Sequence, residues 1–167
     1  IARLKLCRLD LESTANIGVI EGGTASNIIP ESALVQGEVR SHNVKLLQEH
    51  TAHIRSTFEE EIATWSDPEG VVEGRPSLDF TAVDDFPILK LDRDSAVIKR
   101  VEAAAALIDR ELHYVVAGGG SDANIFNGYG LQCAILSTGM DKVHSTRETI
   151  KLSDMALTAD LIMAILL

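Results

Sequence analysis

The sequence predicts an α+β unit, with an antiparallel sheet and helices on one face, followed by an α/β/α unit. Three observations carry that expectation. Two β-rich runs, joined by a connection marked with glycine and proline, lead into one long amphipathic helix. Downstream, helices alternate with short continuous apolar runs, the pattern of a parallel or mixed sheet covered on both faces. The grammar changes between Asp84 and Pro87, so the units are expected at 1–86 and 87–167.

Apolar residues make up 46% of the 167 positions and charged residues 24%, enough to core one ordinary domain or two small ones. Fifteen Lys and Arg against 25 Asp and Glu give a net charge of −10, which argues against nucleic acid or an anionic membrane as partner. Cys7 and Cys133 stand in no metal or redox spacing and read as two reduced apolar thiols of a cytoplasmic protein.

Ile1 to Cys7 carries no initiator Met and no signal-like segment. It reads as the last turns of an amphipathic helix whose beginning is missing, so the chain is expected to be a piece of a longer protein. Asn16 to Ile20 alternates and is β-rich, and Gly22 and Gly23 end it. Ala33 to Arg40 is the next strand, with Leu34, Gln36, Glu38 and Arg40 on one face. The connection between them, broken again at Ser26 to Pro30, is long for a hairpin, and such loops often carry function.

Asn43 is placed to cap a helix from Val44 to about Trp65, because Val44, Leu47, Thr51, Ile54, Phe58, Ile62 and Trp65 recur at steps of three and four. The other face carries Glu49, His50, His53, Glu59, Glu60 and Glu61. His50 and His53 have a spacing that two metal ligands can share, but no third ligand joins them, so they read as solvated surface histidines. Ser66 to Gly70 ends the helix, and Ser77 to Val83 alternates as a further strand.

In the second half, Asp94 or Ser95 caps a helix with Val97, Val101, Ala104 and Ile108 inward. A strand at 113–117, a glycine turn, a helix at 122–127, a strand at 132–137 and a polar loop follow. The closing run from Met155 to Leu167 is too short to span a bilayer and reads as a buried helix.

The chemistry concentrates at the ends of those two apolar strands, where sites form in sheets of this kind. Gly118, Gly119 and Gly120 let the backbone approach a ligand closely. Ser121 and Asp122 can cap the next helix and leave N–H groups for a carboxylate or oxyanion. The same residues also make a plain tight turn. The segment is no phosphate fingerprint, and Ser121 lacks the surroundings of a nucleophile. His144 is displayed in the later loop as a metal ligand, a general base or an ordinary loop histidine. Glu148, four residues on, either orients the imidazole or is solvated. In the first half Arg40 can grip a carboxylate in bidentate fashion with Asn27 supplying an amide, or the two are a surface Arg and a turn Asn.

Asn16 to Gly23, Ser26 to Pro30 and Gly37 to Ser41 together resemble the lid, or dimerisation, domain of the M20 family of metallopeptidases. Gly118 to Phe126, Leu136 to Gly139 and Val143 to Glu148 resemble the end of that family's catalytic domain, most closely in the peptidase T-like branch. The motifs cover nearly the whole chain, in order. The resemblance implies a lid with a four-stranded antiparallel sheet, inserted into an α/β/α zinc-dependent catalytic domain that hydrolyses small peptides. It puts His144 at the C-terminal zinc ligand, with Glu148 behind it. It puts Asn27 and Arg40 where lid residues hold the substrate carboxylate, often across a dimer, and Gly120 and Ser121 in the substrate-binding turn. It also implies a homodimer formed through the lid and two zinc ions in the whole enzyme. The family's His-x-Asp motif, bridging Asp, Glu-Glu pair and further acidic ligand fall outside this chain, so the chain alone is expected to be inert. A non-catalytic homodimerisation module, and an M20 amidohydrolase acting on N-acylated amino acids, are the alternatives.

Overall fold

A computed structural model describes residues 1–167, which divide into two compact units, Ile1–Ile88 and Leu89–Leu167. In the first, β1 (Cys7–Arg8), β2 (Ser13–Gly22) and β3 (Ala33–Ser41) form an antiparallel sheet in the order β1-β2-β3. The register of β2 and β3 runs from Ser13 opposite Ser41 to Gly22 opposite Ala33 and slips between Ile17 and Val19, so Gly18 is an extra residue in β2. Ser13, Ala15, Ile17 and Val19 are the more buried positions of β2, as a strand with one covered face requires. Gly37 faces Ile17. A Cβ there would collide with the Asn16 carbonyl oxygen and lie 2.7 Å from Ile17 Cδ1, so the close approach of the two strands requires glycine.

Helix α1 (Val44–Thr64) packs on β2 and β3 and ends at Trp65. Asn43 caps it as expected: Oδ1 accepts from Lys45 N at 3.0 Å and Leu46 N at 3.3 Å. A chain of bonds ties that cap to the sheet. The fully buried Ser13 donates its hydroxyl to Ser41 Oγ at 2.9 Å, and Ser41 Oγ accepts from Asn43 N at 3.1 Å.

The covered face of the helix is wider than the one its apolar residues alone define. Thr57 is its buried residue, and the Nε2 atoms of His50 and His53 are shut off from solvent. These two histidines are therefore not solvated. Leu47, Ile54, Phe58 and Ile62 of the expected stripe are half-buried, and His50, His53 and Thr57 extend the covered face beside them. His50 Nε2 lies 3.6 Å from Asp10 Oδ2 in the β1–β2 turn.

Two expectations for this unit are corrected. The N-terminal residues form a turn, with Leu4 N donating to Ile1 O at 2.9 Å, and then β1 rather than the end of a helix. Arg3 reaches Glu60 and Glu61 at 2.6 Å each, fixing the turn to the last part of α1. The sheet has three strands, not four. The segment 77–83 keeps its alternation, with Leu78 and Phe80 the less exposed residues, but no strand pairs with it. Arg55 holds it instead, stacking on the Phe80 ring at 4.5 Å and donating to the Phe80 carbonyl at 3.4 Å. Alternation encodes which face is apolar and leaves open whether a neighbouring strand exists.

The second unit contains α2 (Ala96–Leu107), α3 (Asp122–Gly128) and α4 (Leu152–Leu166). Helices α2 and α4 pack together around Val101, Ala104, Ala105 and Ala164, and Arg100 Nε donates to Ile165 O at 2.8 Å. No sheet forms here, contrary to the α/β/α expectation; neither 113–117 nor 132–137 forms a strand. Val115 is 82% exposed and Ile135 56%, although their sequence is that of buried strands. Helix α4, expected to be buried, leaves Leu152, Met163 and Leu166 exposed. These apolar runs encode burial, yet the chain supplies no neighbouring strand to bury them against. Side chains hold the runs in place. Tyr114 donates its hydroxyl to Glu102, with Arg93 4.2 Å above its ring, and the Asn127 amide bonds the Cys133 backbone through both N–H (3.3 Å) and C=O (2.9 Å).

Candidate functional site

The connection between β2 and β3 turns through Ala25–Ile28, with Ile28 N donating to Ala25 O at 3.3 Å, and carries Asn27 exposed at its tip. A concavity of about 500 Å³ opens beside it, lined by Glu21, Gly23, Ile28, Pro30, Glu31 and Leu34 among others. Arg40 stands on the exposed face of β3 at the far end of the hairpin, where it pairs with Thr14 and bonds Glu38 at 2.9 Å. Seven residues separate Arg40 from Ala33 at the loop end, roughly 23 Å of strand at about 3.3 Å per residue. One chain therefore does not bring Asn27 and Arg40 onto a single carboxylate. The sequence pairing of these residues is corrected on that point.

In the second unit Ser121 is the N-cap of α3, as its position before Ala123 predicts. The cap engages two of the donors that an anion would need. Ser121 Oγ accepts from Ala123 N at 3.0 Å, Asn124 Oδ1 accepts from Ser121 N at 3.0 Å, and Asn124 N donates to Ser121 O at 2.9 Å. The N–H groups of Ser121 and Ala123 are not free for a ligand, which corrects the expectation for Ser121. Gly118, Gly119 and Gly120 are exposed and form no turn, contrary to the expected sharp glycine turn, and a Cβ at Gly118 or Gly119 would meet nothing within 4 Å.

His144 is exposed in the loop closed by the bridge between Asp141 and Thr149, and its backbone is left-handed at φ 62°. That conformation is unusual outside glycine and stays populated only when its surroundings fix it. Glu148 Oε2 accepts from His144 N at 2.8 Å. The sequence left Glu148 either orienting the imidazole or solvated; here its carboxylate binds the backbone of the same residue. A single displayed imidazole is no metal centre by itself, and no group of three or more His, Cys, Asp or Glu residues is arranged to hold an ion. The residues of this chain do not fit a zinc site alone. No helix is long and apolar enough to cross a membrane, and Cys7 and Cys133 are both free thiols, Cys7 being exposed rather than packed.

With this geometry in view, residues 3–66 match the peptidase dimerisation domain of the M20 type. They contain β1, β2, β3 and α1. Beyond the dimerisation domain, the whole chain has relatives. It is similar to the uncharacterized protein YqjE of Bacillus subtilis (strain 168), 30% identical over 166 residues, 99% of this chain and 42% of that protein. Among solved structures it is similar to aminopeptidase PepT from Bacillus cereus ATCC 10987, with 31% identity and a TM-score of 0.75. A tripeptidase from Staphylococcus aureus subsp. aureus mu50 matches with 29% identity and a TM-score of 0.81. Each structure covers 98% of this chain, and the chain spans 42% of each.

Proposed function

We propose that this chain is the lid and the C-terminal catalytic-domain segment of an M20-type exopeptidase that hydrolyses small peptides in the cytoplasm. The observation that carries the reading is likeness to a tripeptidase over 98% of the chain at a TM-score of 0.81, beginning with a matched dimerisation domain. The lid, 1–86, brings two copies together, and 87–167 contributes one wall of the active site. The roughly 23 Å of strand between Ala33, at the loop end, and Arg40 supports a substrate carboxylate held by Asn27 and Arg40 from different copies. Gly120 and Ser121 shape the segment against which the substrate lies. The partner is a second copy of the chain, and the substrate a short peptide.

Zinc is the metal of this reading, with His144 as the one ligand this chain donates. Since the remaining ligands do not occur here, the chain alone holds no catalytic ion and performs no hydrolysis. Its own role is binding, orientation and assembly.

The test is light scattering on the purified chain, paired with a zinc titration and an assay on a tripeptide. A dimer that binds no stoichiometric zinc and leaves the peptide intact is the expected result. A monomer at tens of micromolar would overturn the lid reading, and zinc-dependent hydrolysis by the chain alone would overturn the inert-segment reading. Reading the coding sequence upstream of Ile1 tests the whole. A His-x-Asp and a Glu-Glu pair there support the enzyme; a different domain refutes it.

A further inference from the structure

We infer that Glu148 is a positioning residue that acts on the backbone of His144 and thereby sets where the imidazole is displayed. The inference rests on the reading of His144 as a functional histidine, but its test does not.

The loop 141–149 locks itself. Asp141 N donates to Thr149 O at 2.9 Å and Thr149 N to Asp141 O at 3.1 Å, closing its two ends. Within it Ser145 Oγ donates to Lys142 O at 2.7 Å and accepts from Arg147 N at 3.2 Å, while Glu148 N donates to Ser145 O at 3.1 Å. Two non-glycine residues, Lys142 (φ 53°) and His144 (φ 62°), are left-handed. Each is held by a carboxylate that accepts its N–H: Asp141 Oδ1 at 2.9 Å for Lys142 and Glu148 Oε2 at 2.8 Å for His144. A bond to a charged acceptor is among the stronger ones available to an exposed loop. Backbone handedness decides on which side of the loop a side chain emerges, so the carboxylate aims the imidazole without touching it.

The geometry separates three substitutions. Glu148→Gln keeps an oxygen acceptor at the same reach, Glu148→Asp keeps the charge but shortens the reach by one methylene, and Glu148→Ala removes the acceptor. Hydrogen exchange of the His144 amide, followed by NMR in the full chain, is the readout, with Val101 and Ala105 in α2 as controls. Exchange of the His144 amide is expected to quicken on the order of tenfold in the Ala and Asp variants and to stay near wild type in Gln. The imidazole resonances of His144 should move in the first two only. If the Ala variant does not fold, the Gln and Asp pair decides. Unchanged protection in Asp, or equal loss in Gln and Asp, overturns the inference. If instead His144 proves dispensable in the whole enzyme while these results hold, the zinc reading fails and the positioning role stands.

Discussion

Two glycines of the same strand pair should answer the same substitution with opposite signs. At Gly37 an added Cβ overlaps the Asn16 carbonyl oxygen and sits 2.7 Å from Ile17 Cδ1. Ile17 can rotate away; the Asn16 carbonyl belongs to the neighbouring strand and cannot. Overpacking of this kind costs about 1–3 kcal/mol, against a gain of about 0.4–1 kcal/mol from the stiffer unfolded chain. At Gly18 the nearest atom is Asn16 Nδ2 at 3.7 Å and φ is not positive, so the gain stands alone. For a unit of this size each kcal/mol moves the melting temperature by roughly 4–8 °C. Gly37→Ala is therefore expected to lose about 1 kcal/mol net and to melt roughly 4–8 °C lower, and Gly18→Ala at or slightly above wild type. Trp65, the single tryptophan, closes α1 and reports the first unit alone by fluorescence. The reasoning is refuted if Gly37→Ala melts with wild type, or if Gly18→Ala is the more damaging of the two.

Asn43→Ala removes the acceptor for Lys45 N and Leu46 N and should destabilise the same transition by about 1 kcal/mol; urea midpoints by Trp65 fluorescence measure it. His53→Leu replaces a shut-off nitrogen that has no partner with an apolar group, so it should be neutral or stabilising in the same assay, and a loss would show that a partner exists. Asp10 lies below the usual carboxylate value chiefly because the Glu12 N–H bonds it; Val72 N–H, then Gly70 and Glu69 N–H, do the same for Asp67. A depressed folded pKa stabilises above the unfolded value near 3.9 and is lost as pH falls through the folded one. Stability should therefore decline below about pH 4, and Asp10→Asn with Asp67→Asn should flatten that decline in an acid titration.

The local elements were legible because their signals are local. Asn43 before a run of three-and-four spacing is enough to start α1, and Ser121 before Ala123 is enough to start α3, since a cap and the first turn involve neighbours in sequence. The hairpin of β2 and β3 follows from alternation and from glycines placed where strands must meet. The sequence also carried the kinship of its first 66 residues to a peptidase dimerisation domain through motifs read in order.

Tertiary structure decided what depends on a partner. Whether 77–83, 113–117 and 132–137 become strands turns on a neighbour to bond with, and alternation or apolarity is silent about that neighbour. The covered face of α1 takes in His50, His53 and Thr57 beside the apolar stripe, which a count of apolar residues cannot see. The roles of the site residues changed for the same reason. The Ser121 N–H is spent on Asn124, Arg40 stands a hairpin's length from Asn27, and Glu148 grips a backbone rather than a ring. Residue type fixed which chemistry each can perform, and only the fold determined what each one faces.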